Sequence, residues 1–168
     1  MSSLTFIIGG ARSGKSRHAE DLVAALPRPW TYIATAEAYD DEMRERIAIH
    51  RSRRGEGWLT VDAPLDLVGA IEALPDERPV LIDCLTLWLT NHMLAEHDLE
   101  AESTRLAQVL ARPRGPWFVV SNEVGQGIVP DNALARRFRD EAGRLNQRIA
   151  AVADTVLLMV AGLPLKVK

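Results

Sequence analysis

Between the apolar run Leu4–Ile8 and the helix-like segment Ser16–Leu26 stands the octapeptide Gly9-Gly10-Ala11-Arg12-Ser13-Gly14-Lys15-Ser16, which fits the phosphate-loop pattern G-x-x-x-x-G-K-S/T. Such a loop works only where a strand delivers the chain to the turn and a helix carries it away. Its glycines let the backbone curl so that successive N–H groups face phosphate oxygens, and the helix places its positive N-terminal end against the same anion. In that setting Lys15 would hold the β- and γ-phosphates of a nucleoside triphosphate. The Ser16 hydroxyl would ligate the Mg²⁺ that bridges them. Gly9 to Ser16 are therefore the first nucleotide-binding candidates.

The rest of the chain supplies the scaffold this motif needs. Four further apolar runs, Trp30–Ala34, Val80–Asp83, Trp117–Ser121 and Thr155–Val160, read as strands. They are continuous rather than alternating, as expected of parallel strands covered on both faces. Between them, Asp40–Arg54, Leu65–Leu74, Leu99–Ala111 and Asn132–Val152 repeat apolar residues at three- and four-residue spacings and read as helices. Pro27 and Pro29, Pro75 and Pro79, and Pro113 and Pro116 bracket loops that precede strands. The expectation is an α/β fold of the P-loop NTPase type, with three layers and a mostly parallel central sheet, formed as one domain over 1–168. Asp83, at the end of an apolar strand, is the carboxylate expected to support Mg²⁺ from the strand next to the phosphate loop.

Composition narrows the partners. With 168 residues and 47% apolar side chains the chain can bury one sizeable core. A formal charge of −3 gives no electrostatic basis for binding nucleic acid. The single cysteine, Cys84, cannot close an internal disulfide and suits a reducing cytosol. No apolar run approaches the roughly 18 residues of a membrane span, and no export signal is visible at Met1–Gly10. A cytoplasmic enzyme is expected.

In Asp40–Arg54, the residues Met43, Ile47, His50 and Arg54 follow spacings of four, three and four, so His50 shares one helix face with the apolar stripe. Arg46, Arg51, Arg53 and Arg54 surround it and could grip a triphosphate through forked donors. A histidine so placed could attack the α-phosphate, expel pyrophosphate and carry the nucleotide as a phosphoramidate. An arginine-rich solvated face with an incidental histidine has the same spacing, so the pattern alone leaves both open. His18, His92 and His97 lack comparable surroundings and receive no role. Two segments fall where strands end at the carboxyl edge of the sheet, the usual ligand edge of open α/β folds. Ala34-Thr35-Ala36 is small enough for close approach of a ligand or for a plain tight turn. Ser121–Pro130, with Glu123 and two glycines, suits a substrate loop or a simple connection.

Taken together, the blocks GGARSGKS at 9–16, YIATA at 32–36, RIAIHRSRR at 46–54, WLTVDAP at 58–64, LIDCLTLWLTN at 81–91, VSNEVGQGIVP at 120–130, LARRFRDEAGRLNQ at 134–147 and the terminal AGLPLKVK make the chain resemble the bifunctional adenosylcobinamide kinase/adenosylcobinamide-phosphate guanylyltransferases of cobalamin biosynthesis. The resemblance implies a transferase that phosphorylates the aminopropanol hydroxyl of a corrinoid with ATP or GTP. It then moves GMP from GTP onto that phosphate through a guanylylated histidine, here His50. Arg51, Ser52, Arg53 and Arg54, together with Ala34, Thr35, Ala36, Asp62 and Asp83, would contact the nucleotide, and Ser16 and Asp83 the Mg²⁺. A homotrimer is also implied. Ile49 stands where some relatives have a second histidine, Asp62 where glutamate is common, and Gln126 where an apolar residue is common.

Two rivals compete with this reading. A small-metabolite kinase would need only the phosphate loop and Asp83. A GTP-dependent switch would need an N-K-x-D guanine motif and a glycine three residues beyond Asp83, and the chain has neither.

Overall fold

The structure, a computed structural model, describes residues Met1–Lys168. In chain order it comprises β1 (Ser3–Gly9), α1 (Lys15–Ala24), β2 (Trp30–Ala34), α2 (Asp41–Arg53), β3 (Trp58–Asp62), α3 (Leu67–Glu72), β4 (Val80–Asp83), α4 (Leu85–Leu94), α5 (Leu99–Leu110), β5 (Pro116–Asn122), α6 (Ala133–Val152), β6 (Thr155–Val160) and β7 (Leu163–Lys166). The strands form one sheet in the order β3-β2-β4-β5-β1-β6-β7. All neighbours run parallel except β7, which turns back along β6.

Period-two alternation in the central strands feeds two cores. Leu4, Phe6, Ile33, Val80, Ile82 and Val119 point to one face, where they meet side chains of α3, α4, α5 and α6 in a cluster of 25 buried residues. Ile7, Tyr32, Leu81, Phe118 and Val120 point to the other, where Ala19 and Val23 of α1 complete a cluster of 10. Each large side chain fully removed from water contributes about 1.5–3 kcal/mol, and this places most of the stabilisation on the α3–α6 face. The α/β three-layer expectation holds.

Helix starts follow local chemistry. Asp40, Asp66, Asp98 and Asn132 each accept a hydrogen bond at the third backbone N–H beyond them, capping α2, α3, α5 and α6. Helix α1 has no such cap; Gly14 precedes it at φ 89°, so its first amides are left to an anion.

Three elements were not read as such from sequence. Helix α4 has no charged face: its Leu, Trp, Thr and Asn residues follow directly on β4, and Leu85, Trp88, Leu89, Asn91, His92 and Met93 are all buried. Strand β3 is a short edge strand with Leu59 and Val61 exposed. Strand β7 is four exposed residues that include a proline, which a strand tolerates only at an edge.

One expectation is corrected. The strand beside β1 is β5, not β4: Gly9 pairs with Asn122, and Asp83 pairs with Val120 on the far side of β5. Asp83 therefore stands two strands from the phosphate loop. A single strand's sequence carries no information on who inserts beside it.

Candidate active site

The carboxyl ends of β1, β2, β3 and β4 and the length of α2 enclose two adjoining clefts. One, about 430 Å³, is lined by Ser16, Tyr32, Ala34, Ala36, Glu37, Ala38, Ile47, His50, Arg51, Arg54, Asp62, Asp83 and Leu87. The other, about 560 Å³, is lined by Arg12, Ser13, Gly14, Lys15, Ser16, Arg17, Arg46, Ile49, His50 and Arg53. Ser16 and His50 belong to both walls. The second cleft thus carries five cationic side chains, those of Arg12, Lys15, Arg17, Arg46 and Arg53, and no carboxylate, in a molecule whose net charge is −3. Its charge suits a polyanion. The first is half apolar and of a size that suits a nucleoside.

Helix α2 positions His50. None of its residues is fully buried, and Met43, Ile47 and His50 are the ones half-covered, with Arg54 just past the helix end. Of the stripe read from spacing, Ile47, His50 and Arg54 line the clefts and Met43 does not. Because α2 is anchored by so little burial, it can shift at small cost.

The phosphate loop is held in shape from inside. The Lys15 ammonium donates to the Gly10 carbonyl at 3.0 Å, and the Ser13 N–H reaches the same oxygen at 3.3 Å. Burial lowers the Lys15 pKa, partly offset by Cys84 and by the Asp83 carboxylate. Gly9 leaves little room for a side chain: a Cβ there would lie 2.5 Å from Ser13 Oγ and 3.0 Å from the Met159 carbonyl oxygen. Burial and then the Asp83 charge also raise the pKa of Glu20.

Around the first cleft, Arg51 Nη2 donates to both carboxylate oxygens of Asp62, at 2.7 and 2.8 Å. Both side chains are about half exposed, so the pair contributes only about 0–1 kcal/mol and can open to a ligand. The Arg54 guanidinium lies 3.6 Å above the centroid of the Tyr32 ring, with Nε and Nη1 buried and unpartnered. Such donors await an acceptor.

Not every candidate faces a cleft. Thr35 is fully buried: its hydroxyl donates to the Cys84 carbonyl at 2.6 Å and accepts from the Cys84 N–H at 2.9 Å. Its carbonyl accepts from Asn91 Nδ2 at 2.8 Å. Contrary to the expectation of ligand contact, Thr35 presents no free group; it fixes the backbone that offers Ala34 and Ala36. Ser52 likewise lines neither cleft, its hydroxyl donating to the Ile49 carbonyl at 2.8 Å. Gly9, Gly10 and Ala11 shape the loop rather than line the space. Glu123 sits on the loop after β5, where its N–H donates to Gly9 O at 3.0 Å and its carboxylate accepts from the Gly125 N–H at 2.6 Å.

Sequence reading placed Tyr32 only within the run Trp30–Ala34 and the block at 32–36, and gave no ligand role to it, to Glu37 or to Leu87. The cue available was period two in β2: Tyr32 and Ala34 share a face. Ser16 offers a hydroxyl and Asp83 a carboxylate to the same cleft, and no cluster of three or more His, Cys, Asp or Glu side chains is present. That donor set fits Mg²⁺, which takes most of its ligands from phosphates and water.

A model of the family described as cobinamide kinase / cobinamide phosphate guanyltransferase matches residues 5–167. The chain is 47% identical over 165 residues to the bifunctional adenosylcobalamin biosynthesis protein CobP of Pseudomonas aeruginosa, covering 96% of this chain and 95% of that one. It is 41% identical over 182 aligned positions to the bifunctional adenosylcobalamin biosynthesis protein CobU of Salmonella typhimurium, covering 98% and 99%. Among solved structures it resembles a Pyrococcus horikoshii protein, with a TM-score of 0.55 at 12% identity, covering 99% of this chain and 86% of that one. It also resembles the RadB recombinase, with a TM-score of 0.53 at 19% identity, covering 93% and 73%. These two likenesses show the fold alone. No helix is long and apolar enough to cross a membrane.

Proposed function

The chain belongs to the cobinamide kinase / cobinamide phosphate guanyltransferase family, a transferase family, and from that premise we propose that it carries GMP on His50 between GTP and a corrinoid phosphate. The observation that supports this most is the place of His50 in the wall common to the polyphosphate cleft and the nucleoside-sized cleft. A triphosphate spanning the two would set its α-phosphorus beside the imidazole, with the β- and γ-phosphates over Lys15, Arg46 and Arg53 and the base toward Tyr32, Arg54 and Asp62.

In the guanylyl half, a neutral imidazole nitrogen of His50 attacks the α-phosphorus. The N–P bond forms, the α–β bridging P–O bond breaks, and pyrophosphate leaves into the cationic cleft. An oxygen of the corrinoid phosphate then attacks the same phosphorus, breaks the N–P bond and restores His50. In the kinase half, the corrinoid hydroxyl attacks the γ-phosphorus of a triphosphate held by the same loop, and the diphosphate departs. Mg²⁺ held by Ser16 and Asp83 would neutralise the charge that develops in both. The homotrimer implied by the family resemblance is part of this proposal; the uncovered edges at β3 and β7, with Leu59, Val61, Leu163 and Leu165 exposed, leave surface for association of some kind, and light scattering of the purified protein tests the number of copies.

The deciding experiment incubates the protein with Mg²⁺ and GTP labelled at the α-phosphate, beside His50→Ala, before denaturing electrophoresis. Acid-labile, alkali-stable label on the wild type alone supports the covalent route. An unlabelled wild type that still binds GTP would leave a plain metabolite kinase.

A further inference from the structure

The reverse turn between β6 and β7 lies directly against the phosphate loop. Its two residues, Ala161 at φ 51° and Gly162 at φ 81°, have the positive φ pair of a tight two-residue hairpin turn. The Gly162 N–H donates to the Ser13 carbonyl at 2.9 Å. A Cβ on Gly14 would lie 3.2 Å from the Gly162 Cα, so the two glycines meet backbone to backbone. One end of the same hairpin also bounds Gly9, where an added Cβ would lie 3.0 Å from the Met159 carbonyl oxygen.

We propose that Gly162 is a positioning residue for phosphate binding: its N–H holds the Ser13 carbonyl on the outer side of the loop and thereby turns the Gly14 N–H inward toward the polyanion cleft. In a trans peptide the C=O and the following N–H point in opposite directions. Fixing one therefore aims the other. A phosphate-binding loop directs its N–H groups inward, so its outward carbonyls need donors from elsewhere. The Lys15 ammonium and the Ser13 N–H serve Gly10 in this way; for Ser13 the donor comes from the C-terminal hairpin, nearly 150 residues along the chain. A β-branched residue does not suit position 162, because it is strongly disfavoured at positive φ and would swing the N–H away.

This inference rests on the reading that the loop binds the phosphates of a triphosphate. The test compares Gly162→Val and Gly162→Asn with wild type by calorimetric titration with Mg²⁺-pyrophosphate and, separately, with guanosine. Thermal unfolding without ligand is recorded for each protein. The expected result is a roughly tenfold weaker pyrophosphate affinity for Gly162→Val, guanosine affinity unchanged, and near-complete recovery in Gly162→Asn, whose side chain tolerates positive φ. Wild-type pyrophosphate affinity in Gly162→Val would overturn the proposal, and so would equal weakening of both ligands, which marks a general structural role. Should the valine variant not fold, Gly162→Ala takes its place: a smaller loss confined to pyrophosphate supports the proposal, and none overturns it. Failure of the wild type itself to bind pyrophosphate would sink the underlying phosphate-loop reading instead, and the inference with it.

Discussion

Arg54 rests its guanidinium on Tyr32, 3.6 Å above the ring centroid, while two of its nitrogens stay buried without an acceptor. The ring holds the cation in place and burial keeps water from its donors, so Arg54 has two donors free for an acceptor. Tyr32→Leu removes an attraction of about 0.5–2 kcal/mol. The expected outcome is a GTP dissociation constant raised several-fold, up to about thirtyfold. Tyr32→Phe, which keeps the π face, should bind as wild type does. Calorimetric titration of both variants checks this.

The exposed Arg51–Asp62 pair predicts a separation of stability from binding. Asp62→Asn should move the denaturant midpoint by an amount equivalent to under about 1 kcal/mol, because both groups are already in water. Any change in KM for GTP then reports ligand contact. A large loss of stability would show that Asp62 does something other than hold an opening pair.

Thr35 is expected to behave in the opposite way. Thr35→Val is nearly isosteric but strips the hydroxyl from the buried Cys84 N–H, which has no other acceptor, while the Cys84 carbonyl keeps the Trp88 N–H at 3.3 Å. Leaving that N–H unpaired costs about 1–3 kcal/mol. Urea unfolding should show a loss of that size, with GTP affinity following only as the backbone at Ala34 and Ala36 loosens.

His50→Ala should lower guanylyl transfer by roughly a thousandfold or more while corrinoid phosphorylation survives, since a lost covalent nucleophile cannot be replaced by positioning alone. Separate assays of the two half-reactions read this directly. Equal loss of both would mean that His50 serves the binding of triphosphate and not one chemical step.

His92 predicts a pH dependence. Its Nε2 donates to the Leu65 carbonyl at 3.1 Å, which leaves Nδ1 to accept from His97 Nδ1 at 2.9 Å. Burial lowers its pKa from the ordinary value of 6.5, and His97 and Arg105 add to that while Leu65 and Glu102 oppose it. The unfolded chain therefore binds the proton more readily than the folded one. The contribution to stability is whole above the unfolded pKa of 6.5 and is lost as pH falls from there toward the depressed folded value. Urea midpoints of wild type and His92→Asn, measured from about pH 7.5 down to about pH 5.5, should show a steeper decline for wild type over that window. Parallel curves would remove His92 as the cause.

Cys84 gives a control on the core. Burial pushes its thiol up to about 12, with the Asp83 charge adding to the effect. Iodoacetamide at about pH 8 should leave the native protein unmodified, because the thiolate is the reactive form, and should alkylate it once it is unfolded.

How much of this was legible from the residues follows from the range of the interactions involved. The phosphate loop, five strands, the face of α2 that bears His50, and the closing carboxylate Asp83 are local statements: glycine conformations, apolar runs and helical spacing act within a few residues. By itself the sequence determined an α/β chain with a phosphate loop and a histidine among arginines, and its order of blocks carried the family resemblance. Tertiary structure alone decided what stands beside what. It inserted β5 between β1 and β4, turned Thr35 from the ligand into the backbone of Cys84, and laid Tyr32 under Arg54. It also brought Gly162 against Ser13. Each of these joins residues from separate elements through sheet order and packing, and no local propensity encodes which strand will lie beside which.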